Sequence, residues 1–300
     1  MILKKTLLCV IVILLSAGFA AAATLNVGTG QTYSTIQSAV DAASPGDIIS
    51  VGEGTYAENI VIKKNDISVI GKNKEKTIID SKKIGSGIRI DQANNVKISG
   101  FTIQNSGGSG KEDAGITIYS AHNNMVANSI FTNNVAGISI YSGSNNNIIA
   151  GNDIKANGNN GIFIFSSSSN KIYNNNIQKN KFGIYADSAR ENSIYSNNFI
   201  ENNNQAYDNS GLNSWDDGKS GNYWSTYSIQ GNKNSRDNYP LSKAVTIEEV
   251  PVLTTPPPQE QAAQEPKLKG ETEKSSPGFT VVLVLISLII MGALRTRKIE

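Results

Sequence analysis

The sequence predicts an all-β fold, a single-stranded parallel β-helix with three short strands per coil and a capping helix at its N-terminal end. Three observations predict it. Four segments begin alike, GITIYS at Gly115, GISIYS at Gly137, GIFIFS at Gly161 and GIYADS at Gly183, with an earlier cousin, GIRIDQ, at Gly87. Residues 87 to 206 contain neither Leu nor Pro, and their Ile, Val, Tyr and Phe alternate with polar residues in short runs, which is the chemistry of strands. Asparagine is in excess, 36 of 300 residues with 26 between Asn94 and Asn204, and Asn is a poor helix former that competes for backbone hydrogen bonds.

The chain opens with a signal. Residues 1–23 carry Lys4 and Lys5, an apolar run from Leu7 to Leu15, and small residues through Ala23, the three-part layout of a cleavable secretory leader. Cys9, the only cysteine, lies within it, so the exported chain has none and a disulfide scaffold is excluded.

A β-helix domain with its caps is expected over 24–243. In Tyr33 to Ala43 the apolar Ile36, Ala39, Val40 and Ala43 share one helical face, and Ser34 with Gln37 fits a capping box. A short helix here would cover the open edge of the first coil, which otherwise invites aggregation. Ser44-Pro45-Gly46-Asp47 ends it, and Ile48 to Val51 begins the strands.

The coils follow as a repeat of about 22 residues. Apolar pairs five residues apart recur as Ile98 and Ile103, Met125 and Ile130, Ile149 and Ile154, Ile172 and Ile177, and Ile194 and Phe199. An Asn precedes the second member by two (Asn128, Asn152, Asn175, Asn197) and another follows it by three (Asn133, Asn157, Asn180, Asn202). At ~3.3 Å per residue, 22 residues make three strands with sharp bends, closing one rung of coils stacked at ~4.8 Å. Asn tolerates the left-handed backbone of such bends, and its amide reaches the equivalent amide one coil away, so Asn128, Asn152, Asn175 and Asn197 are expected to form a structural ladder. None of the 36 Asn is followed two residues later by Ser or Thr, so they are not N-glycan acceptors.

Trp215 and Trp224, the only tryptophans, fall in the closing segment with Tyr223, Tyr227 and Tyr239 and are read as a plug for the last coil. The opening TYSTIQSAVDAASPGDIISVGEGTYAENIVI, the Asn-rich coils and the closing GNYWSTY and DNYPL together resemble the NosD-like branch of the right-handed, pectin-lyase-like parallel β-helix proteins found on archaeal surfaces. The resemblance covers residues 24–243 and implies a right-handed coil. It says little about chemistry, because this fold hosts lyases, hydrolases, epimerases, adhesins and spacers.

Residues 244–276, rich in Pro, Glu, Thr and Gln, read as a disordered spacer. Beyond them, 277–300 joins Pro277-Gly278-Phe279 to an apolar stretch from Phe279 to Leu294 and the basic Arg295, Arg297 and Lys298. This segment resembles the Pro-Gly-Phe sorting signal of archaeal surface proteins, which implies cleavage and a lipid anchor. A retained membrane helix is the alternative. Either route gives an exported protein tethered to the membrane at the cell surface. Leader and tail hold five of the 27 basic residues and one of the 25 acidic ones, so the remainder carries a net charge of −2 and no nucleic-acid partner is expected.

Three functions are open. A copper-maturation role, implied by the NosD resemblance, wants His, Cys or Met ligands, but the body offers only His122 and Met125, so no metal site and no cofactor are expected. A polysaccharide lyase or glycosidase needs paired carboxylates or a base with a cation. The adjacent acids Glu112-Asp113 and Asp216-Asp217 lack an Arg or His partner, and Asp91 and Asp187 lie four coils apart, so no catalytic residue is assigned. The third role is binding. If the isoleucines of each GIxIx strand point inward, the outward sets are Arg89 and Asp91, Thr117 and Tyr119, Ser139 and Tyr141, Phe163 and Phe165, and Tyr185 and Asp187. Tyr119, Tyr141, Phe163, Phe165 and Tyr185 would form an aromatic stripe, a platform for a polysaccharide or another cell-envelope component. Surface display with binding is the expected role, and a carbohydrate-active enzyme is the alternative.

Overall fold

A computed structural model of the chain describes residues 22–108 and 113–252. These residues form a parallel β-solenoid in which three sheets of eight strands each run the length of the body. The chain visits the sheets in turn. The first sheet begins with Thr24–Val27, Ile48–Val51 and Ser68–Gly71 and ends with Lys171–Tyr173 and Ser193–Tyr195. Strands of the second run from Gly54–Tyr56 to Asn198–Ile200 and Tyr223–Trp224, and those of the third from Ile60–Ile62 to Asn204–Asp208 and Ile229–Gly231.

Identical positions stack in register, which fills the interior with aliphatic columns. In the first sheet Ile49, Val69, Ile98, Val126, Ile149, Ile172 and Ile194 align, all fully buried. The second aligns Ile79, Ile103, Phe131, Ile154, Ile177 and Phe199. Each such side chain contributes about 1.5–3 kcal/mol by leaving water. One coil departs from the expected spacing. Val126 and Phe131 point inward there, whereas Met125 and Ile130 face out and are half-buried. Because side chains alternate along a strand, a slip of one residue exchanges the inner and outer sets.

The bends separate two tasks that the sequence assigned to single asparagines. A first residue takes left-handed φ, as at Asn123 (59°), Asn128 (49°), Asn133 (57°), Asn146 (60°), Ala156 (53°) and Asn174 (55°). The residue after it turns its amide inward, so three buried polar columns run between the sheets. One joins Asn124, Asn147, Asn170, Asn192 and Asn213. A second joins Asn152, Asn175, Asn197 and Asn222. The third joins Asn157, Asn180 and Asn202, with Asn134 donating its backbone N–H into it at Asn157 Oδ1. In the expected Asn128 column, the residue in line is Ser129, whose backbone N–H donates to Asn152 Oδ1 at 3.0 Å. Asn128 supplies the bend instead and points outward. Asn133 likewise bends, and Asn134 enters the column.

The one helix of the described residues is α1 (Ile36–Ala42), with Ile36, Ala39 and Val40 buried. Its N-cap is Thr35, whose Oγ1 accepts from Ser38 N at 3.2 Å, rather than the expected Ser34. The Glu58 carboxylate accepts from Ile36 N and Gln37 N, and Gln37 pairs both backbone groups of Val61 in the outermost strand of the third sheet. At the other end Trp215 and Trp224 pack on Phe199, the latter stacked at 4.3 Å, and donate their indole N–H groups to Asp208 and Asp237.

Residues 244–252 correct the reading of a spacer that leaves the body at 244. Val245 exchanges two hydrogen bonds with the Asn198 amide, Asn174 Nδ2 donates to the Glu248 carbonyl, and Val250 exchanges two with the Asn128 amide. Glu249 reaches Lys74 at 3.5 Å. The segment is an extended strap laid across the coils, held through its backbone by outward-facing asparagines whose pairing requires no particular strap sequence. Residues 1–21 and 253–300, and with them most of the leader, the rest of the spacer and the Pro277-Gly278-Phe279 motif, lie outside the described residues.

Candidate binding face

The outer surface of the third sheet carries the aromatic residues, because Gly115, Gly137, Gly161 and Gly183 set the same alternation in four successive coils. A methyl group on any of them would come within 3 Å of the next coil's backbone carbonyl, so glycine fixes the close stacking. One outer column runs Asp91, Tyr119, Tyr141, Phe165 and Asp187. Its neighbour runs Arg89, Thr117, Ser139, Phe163, Tyr185 and Tyr207.

The five expected stripe residues lie within stacking distance of one another. Ring centroids are 6.0 Å apart for Tyr119 and Tyr141, 5.2 Å for Tyr141 and Phe165, 6.1 Å for Phe163 and Phe165, and 5.9 Å for Phe163 and Tyr185. Two rings join that the sequence reading did not include. Phe182 meets Tyr185 edge-on at 5.1 Å, and Tyr207 stacks on it at 4.5 Å. Tyr207 escaped notice because its coil replaces the marker glycine with Gln205, so the GIxIx signature is lost although the register continues. Burial, with Tyr207 and Asp187 adding to it, pushes the Tyr185 phenol above its usual range and keeps it a neutral donor.

Thr117 and Ser139, expected outward, do face outward but are buried. Thr117 Oγ1 lies 2.8 Å from Ser86 Oγ, and Ser139 Oγ has no partner among the described residues. Rings of Tyr141, Phe163, Phe165, Phe182 and Tyr185 wall a cleft of about 670 Å³, with Asn159, Asn160 and Asp187 at its margin. That size falls in the roughly 300–1,000 Å³ range of ligand sites.

The ends of the face differ in charge. Asp91 lies 3.9 Å from both Lys63 and Arg89, and the Arg89 guanidinium sits 4.4 Å from the Tyr119 ring centroid. At Asp187, Oδ1 accepts from Ser188 Oγ and Asn209 Nδ2, and no cation of the described residues pairs with the carboxylate.

The adjacent acids are engaged in turns. Asp217 Oδ1 accepts from Lys219 N and Ser220 N, and Asp216 accepts from Gly218 N and from the backbone and side chain of Asn238. Those bonds hold the Asp217 carboxyl below the usual range; at Asp216 burial pushes upward but the bonds from Asn238 prevail, so neither is suited to donate a proton at neutral pH. Glu112 lies outside the described residues.

Stacked strands, inward amide columns and one aromatic outer face define a parallel β-solenoid protein with three sheets. Residues 29–229 match the family model described as "Periplasmic copper-binding protein (NosD)", and the chain belongs to that family. A cell surface glycoprotein of Methanothermus fervidus is 38% identical over 104 residues, covering 33% of this chain and 17% of that protein. The chain thus aligns with about a sixth of that relative's length. Among solved structures, a carrot pectin methylesterase matches at TM-score 0.46 and 15% identity, covering 77% of this chain and 90% of its own. The periplasmic alginate epimerase AlgG matches at TM-score 0.46 and 18% identity, covering 71% and 45%.

The copper in the family's description finds no fitting donor set among the described residues. His122, the chain's only histidine, uses Nδ1 to accept from Asn145 N at 3.2 Å, a bond that continues an outer column from Asn94 through His122 to Asn145. Met125 is the only described methionine, and no three His, Cys, Asp or Glu side chains of the described residues gather to hold a metal ion.

Proposed function

We propose that this protein is an exported, surface-displayed, right-handed β-solenoid that binds a polysaccharide or another cell-envelope component along the outer face of its third sheet. The row from Tyr119 through Tyr141 to Phe165, widened by Phe163, Tyr185 and Tyr207, carries the reading. Flat rings stacked at the coil repeat, on a rigid sheet, suit successive sugar rings, which gain from burial on the aromatic faces while phenols bond their hydroxyls. The leader over 1–23, the Pro277-Gly278-Phe279 segment and the surface glycoprotein relative support export and a membrane tether. The contacts of α1 with the first coil and with Val61 support its role as a cap.

The test is a glycan array with the purified protein and a Tyr119→Ser/Tyr141→Ser double variant. Wild type should bind a subset of glycans, and the variant should lose them while its thermal unfolding stays close to wild type. A wild type that binds no glycan would defeat the reading.

A further inference from the structure

We infer that the cleft at the Asp187 end of the aromatic face takes an ammonium-bearing sugar, so that the ligand is an amino-sugar polymer rather than a neutral or acidic one. This rests on the carbohydrate reading above and names the class of ligand for the same face.

The two ends of one column make the argument. Asp91 and Asp187 occupy equivalent positions, with Tyr119, Tyr141 and Phe165 between them. At the first end the protein supplies its own cation: Arg89 lies against the Tyr119 ring at 4.4 Å and 3.9 Å from Asp91. The second end repeats the ring and the carboxylate without the cation. Asp187 Oδ1 is occupied by Ser188 and Asn209, whereas Oδ2 makes no hydrogen bond or ion pair with the described residues. The same cleft is lined by Tyr141, Phe163, Phe165, Phe182 and Tyr185, and its described lining contains no Lys or Arg.

Aromatic faces carry the negative part of the ring quadrupole, and several of them converging beside a carboxylate attract a cation. A uronate there would meet Asp187 with no positive partner. Phe182 set edge-on to Tyr185 closes one side, so an ammonium group would meet rings from more than one direction. Asn159 and Asn160, whose side-chain amides make no hydrogen bond within the described residues, offer donors and acceptors for the hydroxyls of the same sugar.

The experiment is calorimetric titration of the full-length protein with three hexamers, a chitosan oligomer with protonated amines, the N-acetylated chitin oligomer and an oligogalacturonate, plus a trimethyl-lysine peptide. Chitosan should bind at least tenfold more tightly than chitin, and oligogalacturonate should not bind. Asp187→Asn should bring the chitosan and chitin affinities together, and Phe165→Leu, which keeps the fold but removes a ring, should weaken both. Equal affinity for chitosan and chitin in wild type, tight oligogalacturonate binding, an undiminished preference in Asp187→Asn, or stronger binding of the peptide would overturn the inference. Binding of neutral glycans without an amine preference defeats only this inference. Silence toward every oligosaccharide defeats the carbohydrate reading itself.

Discussion

Asn152 donates to Asn175 twice, from its backbone nitrogen and from Nδ2, both to Oδ1 at 3.0 Å. Its remaining Nδ2 proton goes to the Val126 carbonyl at 3.0 Å, and its own Oδ1 accepts from Ser129 N. A fully buried amide is thereby satisfied by the coils on both sides of its own.

Truncation at this point leaves several groups unpaired in the interior. Asn152→Ala and Asn175→Ala should each lower stability by about 1–3 kcal/mol, because buried donors and acceptors lose partners on both neighbouring coils. Chemical denaturation measures the loss, and wild-type stability in both variants would contradict the ladder's contribution.

Asn128 tests the distinction between bend and column. Asn128→Gly preserves the left-handed φ but removes both bonds to Val250. Global stability should fall by no more than about 1–2 kcal/mol, the scale of two partly buried hydrogen bonds. Amide exchange at residues 248–250 should accelerate, while exchange at Val126 and Ile149 should stay slow.

Gly221 sits where only glycine fits the closing segment. A methyl group there would lie 1.8 Å from Asp237 Oδ1, the carboxylate that accepts from Asn222 N and whose Oδ2 holds the Trp224 indole. Gly221→Ala should destabilise by about 2–4 kcal/mol, as expected when an overpacked site also breaks buried polar bonds. Tryptophan fluorescence should shift to the red at lower denaturant than in wild type.

Alkaline titration has a definite sign. Burial raises the folded pKa of Tyr185 above its unfolded value of about 10. The folded state therefore holds this proton more tightly, so its stabilising contribution is complete below about pH 10 and disappears as pH rises through the folded pKa. Phenolate absorbance should show Tyr185 ionising only above about pH 10, and Tyr185→Phe should flatten the stability loss in that range.

The interior was legible because it is periodic. Ile149, Ile154, Ile172 and Ile177 announce the coils by spacing alone, and the outward aromatic set follows once the isoleucines are placed inside. Met125 and Ile130 misled because both alternating faces of that coil are apolar, so hydrophobicity does not say which one is inward; only registration with Ile149 and Ile154 decides. The double asparagines hid a division of labour, since Asn133 and Asn134 are chemically identical and differ only in backbone conformation. Asp187 was visible as an outward residue and Arg89 as the neighbour of Asp91 on its strand, but the contacts of Lys63 with Asp91 and of Arg89 with Tyr119 run from coil to coil, which composition does not carry. The strap was illegible for a plainer reason. Its bonds are made by its backbone, so Val245 and Val250 advertise nothing in their side chains.

The strap also works as a ruler. An amide column can be lengthened by any number of coils, since every rung bonds only to its neighbours. Val245 and Val250, however, must meet Asn198 and Asn128 across three coil steps, about 14 Å at ~4.8 Å per step, which five extended residues at ~3.3 Å each just span. A duplicated coil inserted between those two asparagines would raise the span to about 19 Å against a reach of about 16.5 Å and leave the strap nearly one residue short. The body can grow at either end of this interval but not within it, so the strap keeps count of the coils beneath it.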